Sequence, residues 1–279
     1  MITRPARRSL SIVGASAAAL LALSACSSPS GTSDASGSTG SGATATSGAS
    51  SAPKVDGTVT VFAAASLKES FTALGQEFEK THPGAKVSFN FGGSDSLAAS
   101  ITGGAPADVF AAASPKTMKI VSDAGDTAAA PVTFVRNQLE IATLPGNPDK
   151  IASLKDLTQS GLKVVLCDKT VPCGAAAQKA LKASGLALTP VSYEQDVKSA
   201  LTKVELKEAD AAVVYRTDVK AAGEKVQGVE FPESAKAVND YPIALLKDAP
   251  NAAAAQAFID LVKSPEGQKV LTGAGFLKP

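Results

Sequence analysis

Val59-Thr60-Val61-Phe62-Ala63-Ala64-Ala65-Ser66-Leu67 joins an apolar run to a helical one through three alanines and a serine. Residues 58–62 have the composition of a buried strand. From Ser66 to about Lys80 the apolar positions Leu67, Phe71, Leu74 and Phe78 recur at i, i+4, i+7 and i+11, which is one face of a helix. His82-Pro83-Gly84 stops that helix. A strand that runs straight into a helix aims the first helical N–H groups, and here a hydroxyl, at one point, which suits an anion. No lysine or arginine lies in the joint, so an anion there would be held by dipoles and hydrogen bonds. A serine at a helix start is also an ordinary cap, and for Ser66 taken alone capping is the simpler account.

The pattern repeats along the chain. Strands are predicted at 86–91, 108–111, 139–143, 163–166, 211–214 and 241–246. Helices are predicted from Ser94, and over 115–122, 174–184, 197–204, 251–262 and 265–274. Such alternation predicts an α/β fold with parallel sheets and helices on both faces, whose ligands sit at the carboxyl ends of the strands. Three later joints resemble the first. Ser94 follows Phe91-Gly92-Gly93, whose glycines allow close backbone approach. Val171-Pro172-Cys173-Gly174 has proline at a helix start. Asp196-Val197 places an N-cap residue before a helix. Each helix start carries about half an elementary charge, so four aimed at one point offset about two negative charges.

The N-terminus reads differently. Arg4, Arg7 and Arg8 precede an apolar stretch over about 12–23, too short to span a membrane. Leu23-Ser24-Ala25-Cys26 then resembles a bacterial lipobox, which makes residues 1–25 a lipoprotein signal peptide and Cys26 the lipid-attachment site. An ordinary secretory signal with an incidental cysteine is the alternative. Residues 26–56 form a Ser/Gly/Thr/Ala tether that cannot bury a core and reaches roughly 30 Å as a coil. The leader holds three of the 27 basic residues and none of the 26 acidic ones, so the remainder carries 24 against 26 and has no basic excess for nucleic acid. With no tryptophan and a single histidine, His82, a stacking platform and a zinc site are both disfavoured. Cys167 and Cys173 flank a short turn in an exported protein, where a disulfide is permitted; two reduced thiols are the alternative.

Val61-Phe62-Ala63-Ala64-Ala65-Ser66-Leu67, Gly104-Ala105-Pro106-Ala107-Asp108-Val109-Phe110, Val213-Val214-Tyr215-Arg216-Thr217-Asp218, Tyr241-Pro242-Ile243-Ala244 and Gly275-Phe276 together closely resemble the periplasmic molybdate-binding proteins of ABC transporters, in the family's order. The resemblance implies a two-lobed type II periplasmic-binding-protein fold, each lobe a mainly parallel sheet flanked by helices. Residues 57–137 plus 241–279 would form lobe 1 and 138–240 lobe 2, with a two-strand hinge at 139–143 and 241–246. It implies an anion held by the hydroxyls of Ser66, Ser94 and Tyr215 and by backbone N–H groups of Cys173 and Val197. Molybdenum would then be present only inside the oxyanion, with no cofactor. The partners implied are molybdate or tungstate, a membrane permease, and the bilayer through Cys26, for a monomer anchored on the outer face of the cell membrane. Asp95, beside Ser94, is expected to point to solvent, because a carboxylate would repel a dianion. Asp108 is expected to support a turn, and His82 to be a solvated surface residue.

Other assignments stay open at this level. Sulfate shares the dianion chemistry. Ferric iron would need clustered tyrosines, and only Tyr193, Tyr215 and Tyr241 exist. A lipid-anchored sensor would use the same fold without transport. An enzyme is disfavoured, because His82 falls in one lobe and both mature cysteines in the other.

Overall fold

The computed structural model describes residues 55–279; the expected signal peptide, the expected lipid-attachment site Cys26 and residues 27–54 lie outside the described residues. The described chain builds two five-stranded sheets. The first lobe opens with β1 (Gly57–Ala64), a 3-10 turn (Ala65–Leu67), α1 (Lys68–Thr81), β2 (Ala85–Gly92), α2 (Ser94–Thr102), β3 (Val109–Ala111), α3 (Pro115–Asp123) and β4 (Val132–Asn137). The chain then crosses over. The second lobe contains β5 (Leu139–Thr143), β6 (Val164–Cys167), α4 (Pro172–Ser184), β7 (Ser192–Glu194), α5 (Val197–Glu205), β8 (Ala211–Tyr215), α6 (Arg216–Ala222) and β9 (Gln227–Val229). The return places β10 (Asn239–Leu245), α7 (Ala252–Lys263) and α8 (Pro265–Gly273) back on the first lobe.

The two sheets share one topology. Their strand orders are β2-β1-β3-β10-β4 and β7-β6-β8-β5-β9. In each, one strand runs against the other four: β10 is antiparallel to β3 and β4, and β5 is antiparallel to β8 and β9. That strand is in both cases the one that has just arrived from the other lobe. The sheets are therefore mainly parallel, as expected, with one reversed strand each.

Most expected elements appear within a residue or two of their predicted bounds. The expected helix from Ser66 is a 3-10 turn leading into α1. Four elements have no counterpart in the predicted set: β4, β7, β9 and α6. β7 and β9 are three-residue strands with no buried position, too short and polar to show a period. α6 has seven residues and no apolar stripe.

Each lobe packs its own apolar core. Phe71, Phe78 and Phe258 stack edge to face inside the first, joining α1 to α7. Leu139, Ile141, Leu166 and Val213 centre the second. Burial of such side chains contributes about 1.5–3 kcal/mol each. Ala65 is the exception to this division: it belongs to the first lobe's chain but packs in the second lobe's cluster.

Candidate functional site

The carboxyl ends of the strands in both sheets meet at a small cavity. It offers about 20 Å³ to the centre of a water-sized sphere, room for one small species. Ser66, Ser94, Cys173, Val197 and Tyr215 all line it, the first two from one lobe and the other three from the other. Alanines 64, 65 and 113 and glycines 92 and 93 complete much of the wall. Small side chains leave backbone N–H groups within reach of an occupant.

Three helix starts at this cavity lack the serine caps of α3 and α8. α3 and α8 are capped by Ser114 and Ser264, whose hydroxyls accept from Thr117 N and Gly267 N. The 3-10 turn at Ala65, α2 and α4 have no side-chain cap. Ser66 is not a cap, which overturns the simpler account of its role: its Oγ lies 2.9 Å from the Tyr241 hydroxyl. Ser94 Oγ accepts the Ala113 N–H at 3.0 Å. At α5, Asp196 caps as expected, accepting from Lys198 N and Ser199 N at 2.8 and 2.9 Å. Its carboxylate is thereby turned onto the second and third helical amides, and Val197, the first, faces the cavity.

Cys173 sits one residue after Pro172 in the first turn of α4. Cys167 and Cys173 are joined by a disulfide that ties this helix start to the end of β6. The turn between them is closely packed: a Cβ at Gly174 would run into the Asp168 and Cys167 carbonyls. Gly93 is held to glycine by a different neighbour, because a Cβ there would lie 2.7 Å from the Gln195 carbonyl of the opposite lobe.

Behind the cavity lies a row of polar groups that motif reading had left in the hinge or unassigned. Tyr241 is fully buried, its ring set edge-on to Tyr215 at 6.0 Å. Asn137 Nδ2 donates to Thr217 Oγ1 at 2.9 Å and to the Tyr241 hydroxyl at 3.3 Å. Asn239 Nδ2 donates to the Tyr215 hydroxyl at 2.8 Å and to the Pro172 carbonyl at 3.3 Å. Burial holds both phenols well above their usual pKa, so each keeps its hydrogen. Asn137 and Asn239 lie in no quoted motif, and the partners of these residues lie 24 to 175 positions away.

Among the described residues, no lysine or arginine lines the cavity. The nearby cation, Lys198, is turned away into an ion-paired cluster. Its Nζ lies 3.1 Å from Asp218 of its own lobe and 2.9 Å from Glu69 of the other. Desolvation pulls the Lys198 pKa down, but the two carboxylates outweigh it and the pKa is raised. Full burial pushes Asp218 up to about 6 against the pull of Lys198. The positive potential at the cavity therefore comes from helix N-termini.

Three expectations need correction or refinement. Asp95 does not point to solvent: its residue is half-buried, and Oδ1 is enclosed with no hydrogen-bond partner. It faces a second, larger cleft shared with Asp168, Glu194 and Asp196 rather than the small cavity, because segment 193–196 of the other lobe covers it. His82 is half-buried and stacks on Phe78 at 4.4 Å. Asp108 does support the local chain, with its carboxylate accepting from Thr60 N at 2.7 Å and Asn251 N at 2.8 Å.

Two lobes of matched topology, touching around a cavity at their strand ends, define the class: a two-lobed protein that closes on a small ligand. A family model described as bacterial extracellular solute-binding protein matches residues 59–277. The chain is 44% identical over 222 residues to the molybdate-binding protein ModA of Mycobacterium tuberculosis, covering 80% of this chain and 85% of that one. Against ModA of Escherichia coli it is 33% identical over 240 residues, covering 82% and 92%. The periplasmic molybdate-binding protein of Azotobacter vinelandii superposes with a TM-score of 0.70 at 22% identity, covering 79% of this chain and 99% of that one, a likeness of fold. The chain belongs to the bacterial extracellular solute-binding proteins, in the ModA family.

Proposed function

We propose that this protein binds molybdate outside the cytoplasm and delivers it to the membrane permease of an ABC transporter. The observation that carries this is the convergence of Ser66, Ser94, Cys173, Val197 and Tyr215 on one small cavity without a cation. In this scheme the three hydroxyls and the Cys173 and Val197 amides donate to the four oxygens of a tetrahedral dianion, with serine backbone amides adding to the set. Every protein group is then a donor, which suits an anion carrying no hydrogen of its own. A hydrogen phosphate would set its O–H against another donor. Tungstate has the same charge and shape and binds as well. The ligand bridges the lobes and stabilises their closed arrangement through contacts that an open form lacks. The closed form is what the permease recognises. Lipidation at Cys26 and the tether to residue 56 keep this monomer on the outer face of the cell membrane.

Calorimetric titration of the mature protein with molybdate, tungstate, sulfate and phosphate tests the assignment. Molybdate and tungstate should bind tightly and sulfate poorly. At a thousandfold over its Kd, molybdate should stabilise the fold by about 4 kcal/mol. No heat and no melting shift with molybdate, beside a clear response to sulfate, would replace the ligand.

A further inference from the structure

The two chain crossings lie side by side. Asn137 ends β4 just before the outward crossing, Asn239 begins β10 just after the return, and the two are direct partners in the β4–β10 ladder. Asn239 reaches the Tyr215 hydroxyl at the cavity, and Asn137 reaches the Tyr241 and Thr217 hydroxyls behind it. The orientation of both side chains is set by backbone groups of unambiguous polarity. Asn137 Oδ1 accepts the Gln138 N–H at 3.0 Å, so its other end must be the NH₂. Asn239 faces the Pro172 carbonyl, which can only accept, so that end too is the NH₂.

The consequence passes to the hydroxyls. The Tyr215 hydroxyl accepts from Asn239, so its own hydrogen points away from the hinge amide. The Tyr241 hydroxyl accepts from Asn137 on one lone pair, which favours an arrangement with its hydrogen on Ser66 Oγ, 2.9 Å away, a contact in which either oxygen can donate. In that arrangement Ser66 accepts from behind and donates forward. Ser94 follows the same rule, its acceptor role taken by the Ala113 N–H.

We propose that Asn137 and Asn239 are specificity-determining positioning residues. By donating into Tyr241 and Tyr215 from the hinge, they favour the donor state of the cavity hydroxyls and so disfavour oxyanions that carry a hydrogen. This rests on the assignment of the cavity as an oxyanion site and adds how its selectivity is set. It also ties selectivity to the hinge, since Asn239 comes from the returning strand while both groups it holds belong to the other lobe.

The test is Asn239→Asp and Asn137→Asp, each nearly isosteric, with Asn239→Leu as a variant that removes the donor without adding an acceptor. A carboxylate at 239 takes the Tyr215 hydrogen and leaves its lone pairs facing the ligand. A carboxylate at 137 keeps the Gln138 contact and reverses the Tyr241–Ser66 chain. Titrations with molybdate and with inorganic phosphate at about pH 8 read the outcome, after melting curves confirm folding. With either carboxylate, molybdate affinity should fall about 10- to 150-fold, the loss of one hydrogen bond to a charged group. Hydrogen phosphate should weaken less or strengthen, so the selectivity ratio shrinks. Asn239→Leu should weaken molybdate by less than Asn239→Asp, with no gain in phosphate. Equal losses for the two anions in both carboxylate variants, or an unchanged ratio, would reduce the asparagines to packing and overturn the proposal. Wild-type protein that fails to bind molybdate would instead overturn the ligand assignment on which it stands.

Discussion

Ser94→Ala separates two roles of one hydroxyl. Ser94 is 1% exposed, and its Oγ accepts the Ala113 N–H at 3.0 Å while facing the cavity. Removing it deletes a donor to the anion and leaves a buried amide without its acceptor. A hydrogen bond to a charged partner contributes about 1.5–3 kcal/mol, so the molybdate Kd should rise about 10- to 150-fold. The orphaned amide costs about 1–3 kcal/mol in the ligand-free protein. For a domain of this size each kcal/mol lowers the melting temperature by about 2–4 °C, so the ligand-free variant should melt about 2–12 °C below wild type. Calorimetric titration well below that melting point reads the first quantity, and a melting curve without ligand reads the second. A lower melting temperature with a Kd within about twofold of wild type would mean that Ser94 holds the Ala113 loop and does not touch the anion. That result would refute its place among the ligands.

Lys198→Met leaves Asp218 fully buried without its counter-ion and should lower stability in denaturant titrations by about 3–5 kcal/mol; Glu69→Gln, which removes the half-exposed partner, should lower it by less than about 1 kcal/mol. The raised Asp218 pKa also has a signature in pH. The folded carboxyl titrates at about 6 against 3.8 for the free group, so its stabilising contribution is complete below about pH 4 and lost as pH rises to about 6, on the order of 3 kcal/mol; unfolding free energies of wild type and Asp218→Asn between those limits should diverge with that sign, and parallel curves would refute it. Ala65→Leu places a wedge where the first lobe's chain packs into the second lobe's core. Overpacking of about 1–3 kcal/mol falls on the closed arrangement, so molybdate should weaken about 5- to 150-fold, mostly through faster release in stopped-flow measurements.

The local parts of this molecule were legible in its sequence. A strand passing into a helix at Ala-Ala-Ala-Ser66, glycines before Ser94, and Pro172 before Cys173 are features a chain expresses over five to ten residues, because helix starts are built from local backbone geometry. Five of the residues that line the cavity could thus be named from motif resemblance. The seven-residue α6 and the three-residue edge strands carry too few apolar positions for any periodicity to register.

What the sequence alone determined is the supply of neutral donors: hydroxyls and helix-start amides with no cation among them. Only the tertiary structure decided how those donors are polarised. The Ser66 hydroxyl is paired with Tyr241, 175 positions away, and Tyr241 in turn with Asn137, 104 positions away. A hydroxyl can donate or accept, and nothing in its own stretch of chain chooses between the two. The choice belongs to whatever partner the fold brings behind it. The fold likewise directed Lys198 onto Glu69 and Asp218 and enclosed Asp95 under the opposite lobe, since burial and pairing depend on segments that meet only once the two sheets have formed.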